Sequence, residues 1–245
     1  MEGPVMCETC DRKTTARRDF LKFTAAGLAG IALAGATNLA RAADGPPTSL
    51  SPDEALAALK AGNSRYVSNP QLCSIDLAAQ RASVAGHQAP WATVIACADS
   101  RVPPELIFGG HGPGQLFVAR NAGNLVDTAT LGTVEYGAAV LGSPLIVVLA
   151  HTSCGAVKAA CDVVKKNATY PGAIGPMIEP ILPAALAARD DPGDYVNATA
   201  KLSAQRTAAR LTAASTLISG LADAGKLKIV AAIYDIETGV VSYLG

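Results

Sequence analysis

Five residues suited to metal or acid–base chemistry fall in two short clusters: Cys97, Asp99 and Arg101 in CADSRVP, and His151 and Cys154 in HTSCGA. Each cluster follows a short apolar run, Trp91 to Ala96 and Pro144 to Ala150. Each is therefore expected at the carboxyl end of a strand buried on both faces, the edge of an open parallel sheet where sites form. Two thiolates and one imidazole are donors that zinc prefers, and three protein ligands leave the fourth tetrahedral position for water. Asp99 lies two residues from Cys97 and two from Arg101. Its carboxylate can close onto the metal as a further ligand or be held off by the guanidinium. Held off and ionised, it would accept a hydrogen bond from the reacting oxygen and orient it.

Other readings use the same residues. Cys97 and Cys154 could pair as a disulfide in an oxidising compartment, or Cys154 and His151 could form a nucleophilic pair. Neither employs Asp99 and Arg101, whereas a zinc site accounts for all five residues. Cys73 and Cys161 lack partners at ligand spacing and read as core residues. His87 and His111 read as solvent-facing loop histidines, with His87 placed beside Gln88 to help move protons. Gly109-Gly110-His111-Gly112 lacks the Lys-Ser/Thr of a phosphate loop and reads as a turn.

The elements that must hold these clusters are legible from period and punctuation. Gln115 to Ala119 and Leu227 to Tyr234 are two further buried apolar runs, and Val240 to Leu244 follows a turn at Asp235 to Gly239 as an edge strand. Ser51-Pro52-Asp53-Glu54 has the cap, the first-turn proline and the reciprocal glutamate of a helix start, with an ending expected at Ala61-Gly62-Asn63. A second helical arm is expected within 74–86. Asp127 can cap a crossover helix whose Leu131, Val134, Ala138 and Leu141 share a face before Gly142. After Cys154, Val157, Ala160, Cys161 and Val164 recur at helical spacing, ending in Lys165 and Lys166. The Ala-rich stretch from about 176 to 224 reads as one or two helices broken near Asp191-Pro192-Gly193. The sum is an α/β fold: a mostly parallel four-stranded sheet with an antiparallel edge strand, helices on both faces and an N-terminal helical arm.

Composition agrees with this architecture and excludes little else. Half of the 245 residues are hydrophobic and only 4% aromatic, as suits helices packed closely on a buried sheet. Twenty basic residues balance twenty acidic ones, so nothing steers the chain toward nucleic acid. Paired Arg17 and Arg18, then Phe20, Leu21 and Lys22, a mildly apolar run and Ala40-Arg41-Ala42 read as a twin-arginine signal peptide over residues 1–42. That run is rich in Gly and Ala and would partition weakly as a membrane helix. A linker at 43–50 and one domain at 51–245 follow. Residues 1–42 hold six basic and four acidic residues, so their removal leaves 14 against 16. Cys7 and Cys10 fall in the leader and receive no role in the mature protein. The expected compartment is the periplasm or another exported location, reached already folded.

The motifs CADSR, GQLFVARNAGN, VEYG, HTSCGA and YDIETGVVSYL together resemble beta-class carbonic anhydrases over roughly residues 51–245. The resemblance implies that Cys97, His151 and Cys154 bind one zinc ion and that Asp99 and Arg101 form the catalytic dyad. It further implies that Gln88 orients substrate while Phe117 and Tyr136 wall the pocket. The family's site lies at a dimer interface, so those three are expected from a neighbouring chain, in a homodimer or a higher even oligomer. The implied reaction is reversible hydration of carbon dioxide to bicarbonate and a proton by zinc-bound hydroxide. Hydrolysis of carbon disulfide or carbonyl sulfide on the same fold, and a non-catalytic periplasmic zinc-binding role, are the alternatives; the intact dyad argues against the last. Some members have an inhibitory bicarbonate site with a Trp three residues before the first zinc ligand. Here that residue is Val94, although Arg120 matches the Arg of that site, so no such regulation is expected and a sigmoidal bicarbonate inhibition curve would count against it. Zinc with two thiolates is formally neutral and acidifies its water less than a three-histidine site would. Activity is therefore expected to rise toward alkaline pH, and a rate flat between about pH 6 and 9 would contradict that.

Overall fold

Residues 92–97 and 145–151 are buried at every position, which places them in the middle of a sheet covered on both faces. They are β1 (Ala92–Cys97) and β3 (Leu145–His151) of the computed structural model, which describes residues 46–69 and 77–245. The targeting segment and Cys73 lie outside the described residues. β2 (Leu116–Asn121), β4 (Lys228–Tyr234) and β5 (Val241–Leu244) complete a sheet of five strands among the described residues, in the order β2-β1-β3-β4-β5. The first four run parallel and β5 is antiparallel to β4, as expected from the sequence.

Strand alternation sends Ile95, Cys97, Ile146, Val148 and Ala150 into one core layer and Val94, Ala96, Val147 and Leu149 into the other. The first layer is closed by α4 (Thr128–Glu135), α5 (Gly155–Lys166) and α8 (Tyr195–Ala214), with α8 lying across β3 and β4. The second is closed by α1 (Pro52–Ser68) and α3 (Pro104–Ile107). α2 (Leu77–Ser83) forms the second piece of the N-terminal arm. Asp127 caps α4 by accepting from the Thr130 N–H at 2.7 Å. The helix runs on through a π turn at Tyr136–Val140, and Gly142 takes φ +74° at its exit.

Three expectations need correction. α1 begins with the expected capping box but continues past Gly62 to Ser68. Gly62 is not a helix end; it is where α1 meets α3, and a Cβ there would sit 1.7 Å from the Phe108 carbonyl oxygen. Asn63 beside it is buried, donating from Nδ2 to the Ile107 and Gly239 carbonyls and accepting the Val241 N–H, so it ties α1 to both α3 and β5. The Ala-rich region is more broken than expected: α6 (Ile174–Ile178), a 3-10 turn at Glu179–Ile181, α7 (Leu182–Ala187), α8 and α9 (Thr216–Asp223). Pro176, Pro180 and Pro183 each lack an N–H, and Asp194 and Ser215 cap fresh starts. His111 is half-buried, packed edge-on against Trp91 at 4.9 Å and bonded to Gln115 at 2.9 Å. Burial lowers its pKa, so it is a packing residue and not a solvent-facing one. Cys161 is core, as expected.

Gly62→Ala drives a methyl group into backbone that cannot swing away, so α1 must lift from α3. A loss of about 1–3 kcal/mol in urea-unfolding stability is expected. Unchanged stability would show that the contact is not held in solution.

Candidate metal centre

The chain leaves β1 for β2 on one side and returns from β2 to β3 on the other, so the carboxyl ends of β1 and β3 flank the point where strand order reverses. Cys97 is the last residue of β1 and His151 the last of β3, while Cys154 stands just ahead of α5. Their ligand atoms lie within 4.8 Å of one another. All three side chains are at least nine-tenths buried: Cys97 5% exposed, His151 0% and Cys154 1%.

The donor set fits a tetrahedral cation. The Cys97 and Cys154 sulfurs are 3.9 Å apart, too far for a disulfide, and ligands about 2.3 Å from a tetrahedral centre are separated by about 3.8 Å. His151 Nδ1 lies 2.9 Å from the Thr152 carbonyl, which can only accept, so the proton is on Nδ1 and the lone pair on Nε2. Nε2 is buried with no hydrogen-bond partner. A buried imidazole lone pair left bare beside two sulfurs is costly unless something electrophilic occupies the space between them. The two thiols do not ionise alike. The hydrogen bond between the two sulfurs draws the Cys97 thiol down, and the same bond together with burial pushes Cys154 up. The Gly123 N–H, 3.4 Å from the Cys97 sulfur, supports the thiolate further.

Asp99 stands at the open side of this cluster, its Oδ2 3.9 Å from His151 Nε2. Arg101 grips both carboxylate oxygens, Nε to Oδ1 at 2.9 Å and Nη2 to Oδ2 at 2.7 Å, and its N–H also donates to Oδ1. These bonds hold the Asp99 carboxyl far below the usual carboxylate range. Asp99 is thus an ionised acceptor aimed at the cluster and held by a half-exposed guanidinium.

Gln88, Phe117 and Tyr136 are not brought to this cluster within the chain. Phe117 pairs in register with Thr93, four residues before Cys97, or about 13 Å back along the sheet. Tyr136 meets Phe117 ring to ring at 6.0 Å, in space kept free by Gly137. Gln88 is exposed in the segment entering β1. Phe117 and Tyr136 thus meet toward the amino end of β1 and β2, away from their own chain's Cys97.

The sequence reading missed the residues that hold the two loops. Arg120, on β2, donates from Nε to the Cys97 carbonyl at 2.9 Å and from Nη2 to the Asp99 carbonyl at 2.5 Å, fixing the CADSR turn. Only the strand register shows that Arg120 lies beside this turn. In the HTSC loop, Thr152 Oγ1 accepts the Ile236 N–H, and Ser153 sits at φ +55°, a left-handed conformation uncommon outside glycine. The Ser153 N–H is held at 3.1 Å by Asn197 Oδ1 from α8, and Asn197 is itself held by Asp194. Asn197→Ala should release the turn between two ligands and weaken metal binding about 10- to 100-fold, read by chelator competition. Adding Ser153→Gly, which removes the strain, should recover part of the loss. Unchanged affinity in Asn197→Ala would remove Asn197 from this role.

Comparison with known proteins agrees with the geometry. The family model described as carbonic anhydrase matches residues 92–241. Carbonic anhydrase 2 of Mycobacterium tuberculosis is 39% identical over 188 residues, covering 77% of this chain and 90% of that protein. The carbonic anhydrase of Mycolicibacterium smegmatis is 38% identical over 197 residues, covering 79% and 95%. Among solved structures, a tetrameric beta-carbonic anhydrase from Sordaria macrospora superposes with a TM-score of 0.61 at 25% identity, covering 78% of this chain and 95% of that one. Coccomyxa beta-carbonic anhydrase, solved in complex with acetazolamide, gives 0.58 at 30% identity, covering 66% and 75%. With the family model covering most of the sheet, curated relatives at 38–39% identity and the same fold in solved structures, the chain belongs to the carbonic anhydrase family, in the beta class.

Proposed function

We propose that this carbonic anhydrase is a zinc enzyme in which Cys97, His151 and Cys154 hold the metal and Asp99 and Arg101 form the catalytic dyad. The observation that carries the reading is the bare, buried Nε2 of His151 facing two cysteine sulfurs 3.9 Å apart. Zinc bound there would supply the Lewis acidity that lets a water molecule ionise near neutral pH.

The chain's own residues do the rest. Asp99 is ionised and can only accept, so it bonds to whichever reacting oxygen carries a proton and leaves that oxygen's lone pair free toward carbon dioxide. Arg101 keeps Asp99 in that state and, by occupying both carboxylate oxygens, off the metal. The product bicarbonate leaves, and the proton passes to solvent. Gln88, Phe117 and Tyr136 act on the site of a second subunit. β2 supports this: it is an edge strand, half-buried along most of its length, and such an edge is normally covered. The assembly is then a homodimer or a higher even oligomer, and each site needs both chains.

Stopped-flow carbon dioxide hydration tests the dyad and the sharing together. Asp99→Asn should lower kcat on the order of 100-fold while metal content holds. A mixed population of Gln88→Ala and Cys97→Ser chains should recover turnover that neither has alone, because a mixed dimer contains one site with both Cys97 and a partner's Gln88. No recovery would place Gln88 in its own chain's site and overturn the shared arrangement.

The exported location is part of the same proposal and rests on the Arg17-Arg18 motif and the Ala40-Arg41-Ala42 cleavage pattern. Arg17→Lys with Arg18→Lys should leave the enzyme in the cytoplasmic fraction. An unchanged distribution would contradict twin-arginine export.

A further inference from the structure

Helix α8 turns one face to the core through Ala200, Ala204 and Leu211, and beside it runs a second stripe: Ser203, Arg206, Thr207 and Arg210. These four recur at i, i+3, i+4 and i+7, so they lie above one another on one side of the helix. They line a cavity of about 550 Å³ whose opposite wall is Leu125, Val126, Pro180 and Pro183. That volume is in the range of small-molecule sites.

The polar side of the cavity lacks partners. Ser203 is 4% exposed and Thr207 8%, yet neither hydroxyl makes a hydrogen bond and neither arginine makes an ion pair among the described residues. Some helical hydroxyls in this chain turn back on their own helix: those of Ser64, Ser68 and Thr133 each donate to the carbonyl four residues back. Ser203 and Thr207 are more buried than these and do not. Both hydroxyl oxygens reach the solvent of the cavity and both arginines are exposed, so the four groups offer their donors to the open cavity, where one acceptor can meet them together. The acceptor must be anionic, because all four groups can donate and two carry fixed positive charge. Its body must be apolar, because an ion alone would leave the aliphatic and proline wall wet.

We infer that this cavity binds a small organic carboxylate, with the carboxylate between Arg206 and Arg210, bonded by the Ser203 and Thr207 hydroxyls, and the apolar tail against Leu125, Val126 and the two prolines. The site is separate from the metal cluster but shares a wall with the loop that serves it. Leu125 and Asn121 exchange two 2.7 Å hydrogen bonds, and Gly123 between them donates to the Cys97 sulfur.

Calorimetry on the metal-loaded full chain tests this, with octanoate as the probe, acetate and inorganic phosphate as headgroup-only controls, and Arg206→Ala/Arg210→Ala as the variant. Octanoate should bind saturably at one per chain and about tenfold or more tighter than either control. The double variant should lose about tenfold or more in affinity with its hydration rate kept. Thr207→Val, which preserves volume and removes one donor, should weaken binding several-fold, on the order of 1 kcal/mol converted to affinity. Equal octanoate binding by the double variant would put the ligand at the metal instead and overturn the proposal. So would phosphate binding as tightly as octanoate. Absence of octanoate binding, together with a changed oligomeric state in the double variant, would assign the groove to a subunit contact and also overturn it.

Discussion

Two cysteine sulfurs and an imidazole nitrogen lie within 4.8 Å of one another in core almost closed to water, and much of the surrounding structure serves to make that tolerable. An isolated thiolate in such a place is expensive, and a pair of them more so. With protons alone, one sulfur can donate to the other but both cannot ionise cheaply so close together. A divalent cation cancels both charges and takes the lone pair that His151 presents to nothing else. On the proposed reading, metal binding thus supplies part of the folding free energy of this edge of the sheet.

The fold meets this demand by dividing the ligands between neighbouring strands. A parallel pair delivers its carboxyl ends side by side, and reversal of strand order leaves room between them. Each short loop is then clamped from outside itself: the first by Arg120, the second by Asn197 and by the Ile236 N–H. The clamps come from β2, α8 and the β4–β5 turn, so the geometry of the cluster depends on elements well separated in the chain. On the proposed reading, Asp99 gains its role in the same way. Arg101 occupies its oxygens firmly enough to keep it charged, and the short turn leaves it facing His151.

What the sequence revealed and what it hid divide along range. Strands read from apolar runs, the Ser51–Glu54 capping box, the Asp127 cap and the two Cys/His clusters depend on residues within a few positions of one another, and the structure forms these elements and brings the clusters together. Gly62 and Asn63 mimic a helix end because glycine followed by asparagine is a normal stop. Their real roles are a backbone contact with Phe108 and hydrogen bonds to residues up to 178 positions away. His111 looked like a loop histidine because its packing against Trp91 spans the sequence between two elements. Asn197 clamps a loop 44 residues upstream, and its neighbours in α8 give no hint of it. On the proposed reading, Gln88, Phe117 and Tyr136 extend the same limit beyond one chain, since Phe117 and Tyr136 lie well back along the sheet from their own chain's Cys97.

The central claim is the identity of the ligands, and X-ray absorption at the zinc edge of the purified protein reads it directly. The account predicts two sulfurs at about 2.3 Å and one nitrogen at about 2.0–2.1 Å with one further light atom, falling to a single sulfur in Cys97→Ser. A shell of nitrogen and oxygen alone, or two sulfurs that persist in Cys97→Ser, would contradict it.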